Sequence, residues 1–160
     1  MGYTTNFTGH LNFNKKPTNA LKEYINNFSK SRRMKRDIKK IKEFDANWQN
    51  NCFKGKLGIE GDYYIGKDEN SVVDINCPPG NQPGLWCDWI INDDDKLVWN
   101  GVEKFYNYKE WLEYLIFHFL ERDGYILNGE IEFQGEYEED HGFIVVKDNY
   151  VEIKMDYIII

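Results

Sequence analysis

The chain has 160 residues, 41% of them hydrophobic and 16% aromatic, which suits one compact domain over residues 1–160 and excludes a disordered chain. The formal net charge of −7 makes direct nucleic-acid binding less favourable at long range. No run reaches the roughly 18 apolar residues of a membrane helix, so no membrane contact is expected. The opening Met1-Gly-Tyr-Thr-Thr-Asn has neither the basic start nor the apolar centre of a signal peptide, and a cytoplasmic location is expected.

The charge is unevenly spread. Residues 1–85 hold 14 basic and 9 acidic groups, a net of +5, and residues 86–160 hold 6 and 18, a net of −12. Such a split can orient a partner or a second copy, giving a homo-oligomer through charge-segregated surfaces; an ordinary solvated surface explains it equally well. The three cysteines, Cys52, Cys77 and Cys87, form no CxxC pair and read as reduced thiols, with a Cys77–Cys87 disulfide as the alternative.

Taken in order, Gly2–Phe13 is rich in Thr and aromatics and predicts a first strand, with Phe7, Leu11 and Phe13 on one face and His10 off that register. Thr18, after Pro17, is placed to cap a helix carrying Leu21, Tyr24, Ile25 and Phe28 at helical spacing; this helix is expected to pack on the sheet. The segment Lys30–Lys42 has eight basic residues in 13 and only Asp37 acidic. As a helix it would gather Met34, Ile38 and Ile41 on one side and show a broad cationic face including Arg32, Arg33 and Arg36. That face could meet phosphate or an acidic protein surface; the plain alternative is a solvated lysine-rich face.

Asp45–Lys56 reads as irregular, and Leu57–Ile65 as a strand interrupted by Gly61. Gly66–Gly84 is longer than loops without a role usually are and reads as a ligand- or partner-facing loop, with a plain connector as the alternative; Val72–Ile75 can add a short edge strand within it. Leu85–Ile91 and Leu97–Trp99 form a hairpin around Asn92–Lys96. The run Asp93–Asp95 lacks the spacing of a calcium loop and reads as a solvated turn.

Asn107–Gly124 is the expected central helix, with Asn107 as cap and Gly124 as terminator. Trp111, Leu112, Leu115, Ile116, Phe119 and Leu120 give its apolar stripe, widened by Tyr108, Tyr114 and Phe117. Three strands follow: Tyr125–Gly135, Gly142–Asp148 and Tyr150–Ile158, the last two joined by the turn pair Asp148-Asn149. In the first of them Ile131 and Phe133 share one face, and Glu130, Glu132 and Gln134 the other. The fold expected is α+β, a mostly antiparallel sheet with two or three helices on one face.

Catalytic machinery is weakly indicated. His118 lies on the apolar helix and reads as a packed core histidine, and His141 lies in an acidic turn. No GxSxG, HExxH or phosphate-cradling glycine loop occurs, and the cysteines and histidines lack metal-ligand spacing, so no catalytic residue, cofactor or metal is assigned. Five stretches occur together in order: Gly2-Tyr-Thr-Thr, Phe28–Asp37, Pro78–Trp89, Glu103–Leu120 and Leu127–Gly135. The combination resembles an uncharacterised family of small proteins encoded by bacteriophages and bacteria. No residue role carries over; the resemblance implies only a context in which small phage proteins bind and block a host component.

The functional expectation is a non-enzymatic binding protein, a phage-encoded inhibitor of a host defence system, acting on a host protein through charged and aromatic surfaces. A binder that sequesters a nucleotide is the alternative: Trp86, Trp89 or Tyr106 would stack the base and Arg32, Arg33 and Arg36 would hold phosphate, with Asp88 in the same aromatic segment. A third reading is a small hydrolase acting on a nucleotide or glycan through Glu130, Glu132 or His141.

Overall fold

The computed structural model describes residues 2–156; Met1 and residues 157–160, which include the end of the expected last strand, lie outside the described residues. The architecture is α+β, with three α-helices, a six-stranded antiparallel sheet and a separate two-stranded sheet. The chain divides into two compact units, one of residues 1–22 and 88–160 and one of residues 23–87.

The first unit is built on the large sheet. Its strands are β1 (Asn6–Phe13), β4 (Trp89–Ile91), β5 (Leu97–Trp99), β6 (Leu127–Gln134), β7 (His141–Lys147) and β8 (Tyr150–Met155), in the order β4-β5-β1-β6-β7-β8. The alternation read from the sequence sets the register. Phe7 opposes Phe133 and Leu11 opposes Gly129 on the inner face, while Thr8, His10, Glu130 and Glu132 face solvent. Asp148 and Asn149 both take left-handed backbone, as a tight β7–β8 hairpin requires.

Helix α3 (Tyr108–Leu115) covers the inner face and buries Trp111, Leu112, Tyr114 and Leu115. It continues as a π-helical turn, Ile116–Leu120, and a 3-10 turn, Glu121–Asp123, before Gly124 ends it with φ 78°. Two details differ from the sequence reading. Asn107 is itself left-handed, φ 56°, which turns its side chain out of capping position, and no side-chain cap bond forms. Phe117 is exposed, because the apolar stripe already fills the sheet-facing arc without it. Rings seal this core: Phe7 meets Trp89, Trp99, Phe105 and Tyr108 edge-on with centroids 5.0 to 5.9 Å apart.

The second unit has little regular structure. It holds most of α1 (Asn19–Ser29), then β2 (Lys35–Arg36), α2 (Ile38–Phe44) and β3 (Val72–Asp74), with β2 and β3 paired antiparallel. Thr18 caps α1 as expected, its hydroxyl accepting the Leu21 N–H at 3.1 Å. One core cluster of this unit joins Ile41, Cys52, Leu57 and Tyr64, with Ile38 and Trp48 against it, and Tyr24, Ile25 and Phe28 of α1 are also buried.

Two expectations fail here. Lys30–Lys42 is not one amphipathic helix. Lys35 and Arg36 pair as a strand, and Asp37 starts a new helix by accepting the Lys39 and Lys40 N–H groups at 2.9 and 3.3 Å. An aspartate cap satisfies the N–H groups that the first turn of a new helix leaves free. Leu57–Ile65 is not a strand either. Gly58 and Gly61 both sit at positive φ, 73° and 77°, around a 3-10 turn over Ile59–Gly61, and a Cβ on Gly58 would collide with the Asp62 carboxylate.

The α3 seam sets the stability of the first unit. Leu115→Ala should lower the unfolding free energy by about 2–5 kcal/mol, while Phe117→Ala should change it by about 0.5 kcal/mol or less. Urea unfolding followed by tryptophan fluorescence separates the two, and similar losses for both would contradict this packing.

Candidate functional site

The basic segment lies in the 23–87 unit, and its arginines divide between two tasks. Arg33 is buried, with 1% exposure. Its Nε donates to Gln82 Oε1 at 3.0 Å, Nη1 to the Tyr64 carbonyl at 3.0 Å and Ser31 Oγ at 3.2 Å, and Nη2 to the Asp62 carbonyl at 2.8 Å. The guanidinium also lies over the Phe28 ring, 4.2 Å from its centroid. Arg33 therefore shows no face to a ligand, a correction to its place among the phosphate-holding residues. Its planar fork ties loops whose carbonyls have no strand to pair with.

Arg32 is half-buried and Arg36 is buried at 7% exposure, and only part of each guanidinium is bonded. Arg32 Nε donates to the Ile75 carbonyl at 2.9 Å and Nη2 to Asn76 Oδ1 at 3.2 Å. Arg36 Nη1 donates to the Asp68 carbonyl and to Ser71 Oγ, and the group lies 4.9 Å from the Tyr64 ring centroid. Burial pulls the Arg36 guanidinium below its ordinary value, opposed by Tyr64 and Asp68. Arg32 Nη1 and Arg36 Nε and Nη2 make no hydrogen bond among the described residues.

Both side chains line a cleft of about 640 Å³, together with Lys30, Lys67, Asp68 and Glu69. Lys30 and Lys67 are exposed and form no ion pair among the described residues. Asn27 and Asn51 add amide groups. Asn51 is held in place, since its Nδ2 donates to Asp45 Oδ2 at 2.9 Å, the oxygen that also accepts the Tyr64 hydroxyl at 2.5 Å. Burial raises the Asp45 carboxyl, but the Tyr64, Asn51 and Asn47 donors outweigh it and hold Asp45 below the usual range. Asp68 is fixed by Asn70 and the Ser71 N–H. The loop wall, Gly66–Glu69, belongs to the segment whose length marked it as ligand-facing; Lys67 went unnamed because a lone loop lysine carries no pattern.

The aromatic candidates do not join this cleft. Trp89 is fully buried, its indole N–H donating to the Tyr108 carbonyl at 3.0 Å, so it has no free face for stacking. Asp88 is buried, and burial raises its carboxyl despite the Asn100 amide at 3.1 Å. Trp86 is 43% exposed but is not among the residues lining the cleft. Tyr106 is 50% exposed and lies in the other unit, with its hydroxyl accepting the Tyr3 N–H at 2.9 Å.

The hydrolase candidates lie on the solvent face of the large sheet. His141 Nε2 is 2.6 Å from Glu132 Oε2 and Nδ1 is 3.1 Å from Asp156 Oδ2, while Glu130 makes no bond to it. With both ring nitrogens on carboxylates, His141 has none left to accept a substrate proton; it clamps β6 and β7 to the end of β8. Glu132, then Asp156, raise its pKa against burial. His118 stacks on Tyr114 with centroids 4.0 Å apart, and burial followed by Arg122 lowers its pKa, as a packed histidine requires. The three cysteines are free. No described helix is long and apolar enough to cross a membrane. No family model, curated protein or solved structure matches the chain.

Two predictions follow from these placements. Arg33→Met should cost about 3 kcal/mol or more, because its acceptors are left buried and unpaired, whereas Arg32→Met, at the surface, should cost about 1 kcal/mol or less; equal losses in urea unfolding would contradict the division. A raised His141 pKa makes its clamp fully stabilising below the unfolded value of about 6.5 and weakens it as pH rises through the higher folded value. The melting-temperature advantage over His141→Gln should therefore shrink from about pH 6 to about pH 9; an advantage growing with pH would refute the clamp.

Proposed function

We propose that this is a binding protein that breaks no bonds, and that the cleft of the 23–87 unit takes a phosphate-bearing small molecule of nucleotide size. One observation carries the reading: Lys30, Arg32, Arg36 and Lys67 line a single cleft, and both ammonium groups lack a carboxylate partner among the described residues. A volume of about 640 Å³ lies within the roughly 300–1,000 Å³ of small-molecule sites. The arginines supply directed N–H groups and the lysines point charges, the two forms in which proteins hold phosphate. Asp68 and Glu69 accept from hydroxyl or amino donors, so a ligand with phosphate at one end and such donors at the other satisfies both sets.

Sequestering a nucleotide would deny it to a host system. That fits the wider reading, an inhibitor of host defence, which the resemblance to phage proteins supports. Docking of a host protein is the second reading, and the exposed rings of Trp86 and Tyr106 favour it.

Calorimetry against pyrophosphate and a panel of linear and cyclic nucleotides tests the cleft. Binding is expected for at least one nucleotide, with Lys30→Glu/Lys67→Glu weakening it roughly tenfold or more. Both positions are exposed, so the fold should be kept. No binding by any member of the panel, or an unchanged affinity in the double variant, overturns the reading.

A further inference from the structure

We infer that a second copy of the chain pairs with the free edge of β8, extending the sheet across a two-fold axis through Ile153. This inference is independent of the cleft. β8 ends the strand order, and no described residue pairs with its outer edge. The other edge strand, β4, has only three residues.

The backbone direction is set by β7. Asp156 N–H donates to the His141 carbonyl at 2.9 Å, and the Lys154 carbonyl faces Gly142. Even-numbered residues of β8 therefore bond inward, and Val151, Ile153 and Met155 turn their N–H and C=O groups to the open edge. An antiparallel copy centred on Ile153 places Ile153 opposite itself and Val151 opposite Met155, both as hydrogen-bonded pairs. Glu152 then lies opposite Lys154 twice, by symmetry, in the non-hydrogen-bonded positions where side chains come closest.

Charge decides whether this register attracts. Glu152 and Lys154 are both exposed on the outer face of the sheet, and neither is in an ion pair among the described residues. Across the axis each meets its opposite, the favourable cross-strand combination. Ile153 and Met155, half-buried on the inner face, gain cover from the same pairing. A charged residue on an edge strand more often guards against pairing. A guard of one sign repels its own copy, however, whereas this alternating pair complements itself. The net −12 of residues 86–160 opposes approach at long range, but at about 0.15 M salt that field is screened within about 8 Å, and contacting pairs persist.

Sedimentation velocity on the full chain, from micromolar to millimolar concentration, tests the pairing. The wild type should show a monomer–dimer equilibrium. Glu152→Lys alone and Lys154→Glu alone should each weaken it roughly tenfold or more, since two like-charge contacts replace two attractive ones. The double variant, with the charges exchanged, should restore it to within about threefold of the wild type. Thermal melting checks that all variants fold alike, as exposed substitutions should. A wild type that stays monomeric throughout, single reversals that leave the equilibrium unchanged, or an exchange that fails to restore it each overturns the inference.

Discussion

The buried guanidinium of Arg33 is the contact on which the 23–87 unit depends. That unit has one two-stranded sheet of a few residues and long stretches of irregular backbone. Irregular backbone leaves carbonyls with no ladder to join, and a buried carbonyl without a donor is costly. Arg33 answers this by donating to the carbonyls of Asp62 and Tyr64 and to the side chains of Gln82 and Ser31. Lysine could not do the same, because its donors radiate from one atom rather than spreading across a rigid plane. Arg36 repeats the device with the Asp68 carbonyl and Ser71. The loop that walls the cleft is thus held by the same kind of group that lines it.

The other unit solves its backbone problem by different means. Six strands exchange hydrogen bonds along the sheet, and the interior is filled by rings and branched chains from α3 and the strands. Apart from the buried Asp88, its charged residues lie toward the surface, where His141 of β7 meets Glu132 of β6 and Asp156 just past β8. Regular hydrogen bonding frees this unit from needing arginines inside. The contrast accounts for the two buried arginines, Arg33 and Arg36, which donate to irregular backbone of the 23–87 unit.

Legibility followed the same division. Alternation in β1 and β6, the hairpin pair Asp148-Asn149, the Thr18 cap, the Gly124 stop and the stripe of α3 all express local rules, and the structure follows them. The segment Lys30–Lys42 misled because its apolar spacing suited a helix, while its true organisation depends on acceptors 29 to 49 residues away in sequence. No periodicity reveals that an arginine will be buried against distant carbonyls. Asp37 was the one local warning, since an acidic cap inside a basic run marks a helix start. Trp89 misled for a related reason: tryptophan serves cores and binding faces alike, and the ring neighbours that bury it come from Phe7 and Phe105, far off in the chain.

The division of labour among the basic residues also bears on how the cleft would act. The arginines that line it are already bonded to the protein, so their orientation is set before any ligand arrives and little side-chain entropy remains to be lost. The lysines are exposed, and contribute charge without demanding a particular geometry. Such a pairing favours recognition of a phosphate group in general over one exact shape, with selectivity left to the amides of Asn27 and Asn51 and to the carboxylates of Asp68 and Glu69. The 23–87 unit holds 11 basic and 9 acidic residues, a net of only +2. On the proposed function, attraction for an anion would come from where the charges converge, and not from the unit's total.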